Sequence, residues 1–452
     1  MVASRAPHGD EEVYQALQPI YPFNSPGEPV MLYRGPMGGF ISGVDVEGAV
    51  HLNCISKLDI SWQIDQDAAR LFSGSSLDIG DVNITLRLPM GDQTLLGHRG
   101  DFFKGWFDGS GIGNDDAPLE RVVVHWMNLP AMRAPIRITG EEKFEWFTGR
   151  WSAVINGWRI IIDRRPDYSD VWHLLREMQT IAMTHVMEVR REGGSDFTAA
   201  EVKPVIAALQ FSLSFAAGRW VAPALPVGLD ASGNVLWREW GPLHCSPGRD
   251  SGLAWWWREG GDTEDYLRNV IQRFMDPDDR FTLRFLMTSA VLANFAGFVE
   301  QRITTAFSAI EHLTWVILKV RGGMSKKAYD GLGASGRLRE VLSRAAISPE
   351  INEEELPKLS TFMADAPGVD GVHDGPTAVA RIRNEIVHPK NSRDTIYGTR
   401  GLVQEAWLLL YQYLTLLLLH EVGYRGSYHN VLKRERWYGD VDPVPWTNQG
   451  IA

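Results

Sequence analysis

From Trp407 to Leu419 the chain is apolar at nearly every position, broken by Gln412 and Thr415. A helix over 401–422 would carry Leu408, Leu409, Leu410, Tyr411, Leu414, Leu416, Leu417 and Leu418 around its whole circumference. A helix without a polar face has to be covered on all sides, by its own bundle or by a second subunit. The run is shorter than a membrane span. It therefore predicts a helical bundle with this segment at its centre. Apolar residues at spacings of three and four predict neighbouring helices over 266–275, 283–300, 303–320 and 338–346.

One further helix is short, over about 376–387. Gly375-Pro376 opens it, and proline suits the first helical position because its missing N–H is unpaired there anyway. Val379, Ile382 and Ile386 form its apolar stripe. Pro389 disfavours helical backbone at the residue before it, so the helix should end near His388. The dipole there favours a protonated imidazole. Arg383 and Asn384 stand on the same short helix. A permanent cation, an amide and a titratable ring in one place suit phosphodiester chemistry. The competing reading is a polar helix face that ends in a capping histidine. Glu311 is bracketed at four-residue spacing by Phe307 and Trp315. An acid on an aromatic face needs a cation, and Arg383 is the expected partner. The alternative is an exposed glutamate at a groove edge. Arg381, Lys390 and Arg393 make this stretch locally basic, as do Lys319, Arg321, Lys326 and Lys327 after the Glu311 helix. Such a patch can hold RNA backbone, although most charge runs are only solvated faces.

Arg383-Asn384-x-x-x-His388 resembles the Arg-x(4–6)-His motif of HEPN domains. Phe307-Ser308-Ala309-Ile310-Glu311-His312-Leu313 is similar to the corresponding step of the Apea-like branch. Motifs and helix order together cover about 264–425. The resemblance implies a HEPN-like bundle that dimerises and is often a metal-independent ribonuclease, though some members only bind RNA or nucleotides. In such an enzyme His388 would transfer the proton and Arg383 would stabilise the phosphoryl oxygens. Asn384 would orient one or the other, with Glu311 in support. One motif histidine per chain leaves the acid and base roles to two subunits, hence a homodimer. A role in bacterial defence or a toxin system is implied by resemblance alone.

At 452 residues the chain exceeds one ordinary core. The expected class is a multidomain α+β protein. Its parts would be a leader over 1–30, a β-sandwich-like domain over 31–163, an α+β region and linker over 164–261, the all-α bundle over 262–425 and a polar tail over 426–452. Short strands and glycine-rich turns support a β-sandwich or a related twisted β domain, with the α+β region packed on it as one unit as a further option. In the middle region Thr198 with Glu201 reads as a capping box, and Asp230 to Asn234 as a turn between strands. The net charge of −11 argues against a general nucleic-acid coat but leaves room for a local basic site. Cys54 and Cys245 cannot build a disulfide scaffold, and the N-terminus carries no basic-then-apolar signal, so a cytoplasmic location is expected. No two histidines or cysteines stand at metal-ligand spacing, and neither metal nor cofactor is expected. Gly109 to Gly113 looks like a phosphate loop without its lysine and reads better as a turn. His373 reads as a solvent-facing loop residue, and Trp255 to Trp257 as packing anchors. With 17 tryptophans and a β domain, carbohydrate binding is a third class beside ribonuclease and RNA-binding module. The ligand or trigger of the N-terminal portion is left open.

Overall fold

Alternation at period two builds the first half of the chain. In the strand Asp81–Leu88, Val82, Ile84, Leu86 and Leu88 are buried, while Asp81, Asn83 and Arg87 are exposed. The computed structural model describes residues 12–450 apart from 42–43, 66–79, 102, 140–145, 242, 249–252, 296, 366–370, 389–395, 434–436 and 438. It is a multidomain α+β protein, β-rich in its N-terminal part and helical in its C-terminal part. Two compact units divide the described chain, one from 1–206 and 221–250, the other from 207–220 and 251–452.

In the first unit a short strand β1 (Val13–Gln15) precedes β2 (Val30–Ile41), β3 (Val44–Asn53), β4 (Asp59–Ile64), β5 (Asp81–Leu88), β6 (Gly91–Arg99) and β7 (Lys104–Phe107). Strands β2 to β7 close into a barrel in the order β2-β3-β4-β7-β6-β5. The expected sandwich over 31–163 is thus replaced by a barrel and a separate sheet. Alternation is the same for both architectures, and what decides between them is closure. The seam is the pairing of Met37 with Leu86 and Gly38 with Thr85. Beside it Gly39 sits at φ +98, where a Cβ would lie 1.8 Å from the Asn83 carbonyl oxygen. No side chain fits there.

The sheet is made by β1 and by β8 (Ser110–Gly113), β9 (Arg121–Met127), β10 (Ile136–Thr139), β11 (Trp146–Ile155), β12 (Trp158–Arg164), β13 (Met183–Arg191), β14 (Ala222–Leu229) and β15 (Val235–Trp240). Its order is β1-β10-β11-β12-β13-β9-β14-β15-β8, so the sheet runs straight through the expected boundary at 163/164. Helices α1 (Tyr168–Met178) and α2 (Ala199–Ala217) interrupt it in sequence. The Thr198 N–H donates to Glu201 Oε2 at 2.9 Å at the start of α2, and Gly218 ends it at φ +63.

The expected leader is built into this unit over its described residues. β1 pairs parallel with β10, and the Leu17 N–H donates to Asp163 at 2.7 Å. Asp163 is itself buried in a two-pronged pair with Arg150. The Ile20 and Tyr21 N–H groups donate to Nε2 of the buried His125 at 3.1 and 3.3 Å, and its Nδ1 lies 3.0 Å from the Leu225 carbonyl. These bonds require the neutral ring with its proton on Nδ1, and burial holds the His125 pKa down at about 4. His185, also buried, is held at about 3 by burial and then by Arg164. Cys54 and Cys245 are free and buried, and burial pushes the Cys54 thiol up to about 12.

The second unit contains α3 (Thr263–Phe274), α4 (Pro277–Phe295), α5 (Val299–Thr314), α6 (Lys326–Gly331), α7 (Gly333–Arg344), α8 (Pro357–Asp365), α9 (Gly375–Val387) and α10 (Leu402–Glu421). α10 packs against α4, α5, α7, α8 and α9. By length and composition it could cross a membrane, yet 89% of its most apolar window is buried inside the fold. One chain therefore covers it, and the second subunit invoked to cover it is not needed for that purpose. Two of its buried polar residues bond within the unit. Glu405 accepts from the Lys358 and Leu359 N–H groups and caps α8. Gln412 donates to the Tyr428 hydroxyl and accepts from the Val431 N–H, which ties down the expected polar tail. Trp255 is buried against Phe215, Tyr266 and Tyr424, as a packing anchor.

Candidate functional site

The residues singled out in sequence meet where α5 and α9 touch. Asp374 is the N-cap of α9: its carboxylate accepts from the Thr377 N–H at 3.0 Å and pairs with Arg339 of α7 at 2.5 Å. Pro376 occupies the first turn. Ala378, Val379 and Ile382 are buried and fix which way α9 faces. The helix ends at Val387, and His388 turns the chain at φ −133, ψ 66, with its N–H on the Asn384 carbonyl at 2.7 Å. The His388 side chain is exposed, as is Asn384.

Arg383 is held from three directions. Its Nη2 lies 3.8 Å from Glu311 Oε2. Its Nη1 donates to Asn384 Oδ1 at 3.1 Å. The guanidinium carbon sits 5.3 Å from the centre of the buried Phe307 ring, one turn before Glu311 on α5. Glu311, Arg383 and Asn384 thus form one constellation, with the open imidazole of His388 at the end of the same helix. The Glu311 and Arg383 side chains are 40% and 26% exposed, so this is not the buried pair that the aromatic bracket suggested. At that exposure the pair orients more than it stabilises. Glu311→Ala is expected to change unfolding free energy by less than about 1 kcal/mol in a denaturant titration. A loss of several kcal/mol would show that the carboxylate holds the bundle together.

Arg381 belongs elsewhere. Two helical positions turn by roughly 200°, so Arg381 and Arg383 leave α9 on opposite sides. Arg381 lies over Phe362 of α8 at 4.6 Å. The expected basic group of Arg381 and Arg383 is thus divided between two sides of the helix. Lys390 and Arg393 lie outside the described residues. Of the second basic group, Arg321 is committed to an ion cluster with Asp279 and Glu421, and Lys319 lies over Trp315 at 4.8 Å. His373 is engaged by the Met363 carbonyl at 2.9 Å.

Two features escaped the sequence reading. Residues 315–321 continue α5 as a π-helical turn, a rare form that is frequent at functional sites. No residue type announces it. His312, next to Glu311, packs its ring on Phe285 at 4.9 Å, and burial lowers its pKa. Its Nε2 is buried with no hydrogen bond among the described residues. Its place inside the Phe307–Leu313 motif was the available signal. Among the described residues no group of three or more His, Cys, Asp or Glu side chains has metal-ligand geometry.

Comparison with known proteins places both halves in one lineage. The model of the YopA central domain matches residues 114–251, and that of the YopA C-terminal domain matches 277–443. Glu311, Arg383, Asn384 and His388 all fall within the C-terminal match. The SPbeta prophage-derived uncharacterized protein YopA of Bacillus subtilis (strain 168) is 31% identical over 441 residues, covering 93% of this chain and 95% of that protein. No solved structure matches the chain. The chain is a member of the YopA family.

Proposed function

We propose that the helical unit is a HEPN-type domain and that the protein is a metal-independent endoribonuclease, with the β-rich unit as its sensing or targeting portion. The observation that carries this reading is the Arg383 guanidinium, held by Glu311, Asn384 and Phe307 on a short helix that ends in the open imidazole of His388. A general base takes the proton of an RNA 2′-hydroxyl. The 2′-oxygen attacks the adjacent phosphorus and forms a P–O2′ bond. The P–O5′ bond breaks, and the leaving 5′-oxygen takes a proton. The products are a 2′,3′-cyclic phosphate and a 5′-hydroxyl. His388 serves as the proton-transfer group, the role that histidine fills most often. Arg383 stabilises the charge that grows on the phosphoryl oxygens, and its planar two-pronged fork suits them. Acid and base are two roles, and a homodimer that brings two α9 ends together supplies a His388 for each. The single histidine that the α9 end supplies, rather than the apolar α10, is what supports the dimer.

A second reading, a non-catalytic RNA- or nucleotide-binding module, draws on the same Arg383. Its guanidinium is already in contact with a carboxylate and an amide, a setting that also suits passive phosphate recognition. Incubating the purified full-length protein with total RNA in EDTA separates the two. Fragmentation in EDTA is expected. Retention of RNA without fragmentation, with and without added divalent cations, would favour the module.

A further inference from the structure

The β-rich unit carries a groove of about 850 Å³ between the β5–β6 turn, the segment after β8 and the β14–β15 turn. Alternation along β15 sets Leu236 and Arg238 on one face, beside the groove, and Asn234 borders it from the preceding turn. Met90 and Pro89 supply the opposite apolar wall. Gly113, at φ +92, admits no side chain, since a Cβ would lie 2.3 Å from the Leu236 carbonyl oxygen and 2.5 Å from Met90 Cε. The glycine run from 109 to 113 and the 230–234 turn, each unremarkable alone in the sequence, thus border the same space. None of the lining residues is acidic, in a chain of net charge −11.

Donors are left over on two of the three side-chain amides at this groove, the third, Asn234, giving its Nδ2 to Asp230 Oδ2 at 3.0 Å. Gln93 Oε1 accepts from the Gly113 N–H at 3.1 Å, and Asn114 Oδ1 accepts from the Asp116 N–H at 3.0 Å. Backbone donors fix both amide orientations, which leaves each NH₂ group to donate elsewhere. Arg238 Nε is buried with no hydrogen bond among the described residues. Its Nη1 is 3.5 Å from the Tyr21 hydroxyl, and no carboxylate among the described residues lies within ion-pair distance. A half-buried cation without a counter-charge is costly to the fold. Charge-assisted bonds to an anion offset that cost.

We propose that this groove binds a small organic anion of about mononucleotide size, its phosphate or carboxylate on Arg238 and its body against Met90 and Leu236. The volume lies within the range of small-molecule sites. The proposal stands apart from the ribonuclease reading and needs no RNA for its test. The full-length protein is titrated calorimetrically with the four ribonucleoside monophosphates, octanoate, the uncharged nucleosides and inorganic phosphate. At least one organic anion is expected to bind at micromolar concentration, with nucleosides and inorganic phosphate far weaker. Binding of a monophosphate identifies the anion as nucleotide, and binding of octanoate as an acyl carboxylate. Arg238→Met should weaken that binding by about 30-fold or more. It should leave the unliganded Tm unchanged or higher, because it removes an uncompensated charge. Leu236→Trp fills the groove, keeps Arg238, and should also lose binding. The proposal is overturned if no organic anion binds below the millimolar range, or if inorganic phosphate binds as tightly as any of them. It is equally overturned if Arg238→Met binds like the wild type, or lowers the unliganded Tm and so assigns the guanidinium to the fold.

Discussion

His388→Ala is expected to reduce RNA cleavage by about 10²–10⁴-fold, the usual consequence of losing a positioned proton-transfer group. The side chain is exposed beyond the last turn of α9 and makes no hydrogen bond among the described residues. Its removal should therefore leave the unfolding midpoint and RNA affinity close to wild type. Arg383→Ala should cost cleavage on the same scale and weaken binding too, since it removes a phosphate contact as well as transition-state charge. Arg383→Lys should recover little, because an ammonium cannot reproduce the planar fork set between Glu311 and Asn384. Asn384→Ala should be milder, because Asn384 only orients its neighbour. Single-turnover cleavage and RNA-binding titrations on the same preparations check the set. Equal rates for wild type and His388→Ala would remove the site.

Stability of the β-rich unit should fall as pH drops below about 6.5. His125 and His185 are buried and neutral, with folded pKa values near 4 and 3, below the 6.5 of an unfolded histidine. The sign follows from proton counting. Between 6.5 and those folded values the unfolded chain binds more protons, so acid favours unfolding. The stabilisation is fully present above 6.5 and is lost as pH falls. Between pH 6.5 and 5, before most carboxylates titrate, each histidine should contribute a loss of roughly 1.5 kcal/mol. His98 acts in the opposite sense. Asp108 and Asp81, each 2.8 Å from a ring nitrogen, raise its pKa, so its pairing is lost as pH rises. Its two partners are exposed and the effect is small. Thermal unfolding followed across this pH range checks the balance. His185→Phe, which removes one titration and keeps an aromatic ring beside Tyr168, should flatten the profile. A wild-type midpoint that is level from pH 7 to 5 would contradict the account of both rings.

Much of the helical half was legible because its signals are local. The α9 boundaries follow from Pro376 and Pro389, and α10 from an apolar run too dense for any other place. The Glu311–Arg383 approach was legible from an acid set between aromatic residues, but its partial exposure was not, since exposure depends on what α7 and α8 leave uncovered. Position on a helix, rather than composition, separates Arg381 from Arg383. The β half was less legible because alternation reports burial and not closure. Met37 pairs with Leu86 across 49 residues, and nothing local to either strand marks the seam. Arg238 was passed over for a similar reason. A lone arginine in a strand carries no motif, and its lack of a counter-charge among the described residues appears only in the folded chain.

The most direct test of the central claim is the chemistry of the RNA ends left by the full-length protein in EDTA. Attack by the 2′-hydroxyl with His388 and Arg383 in place predicts 2′,3′-cyclic phosphate and 5′-hydroxyl ends, which disappear together with cleavage in His388→Ala. Products with 3′-hydroxyl and 5′-phosphate ends, or cleavage that stops when divalent cations are chelated, would contradict it.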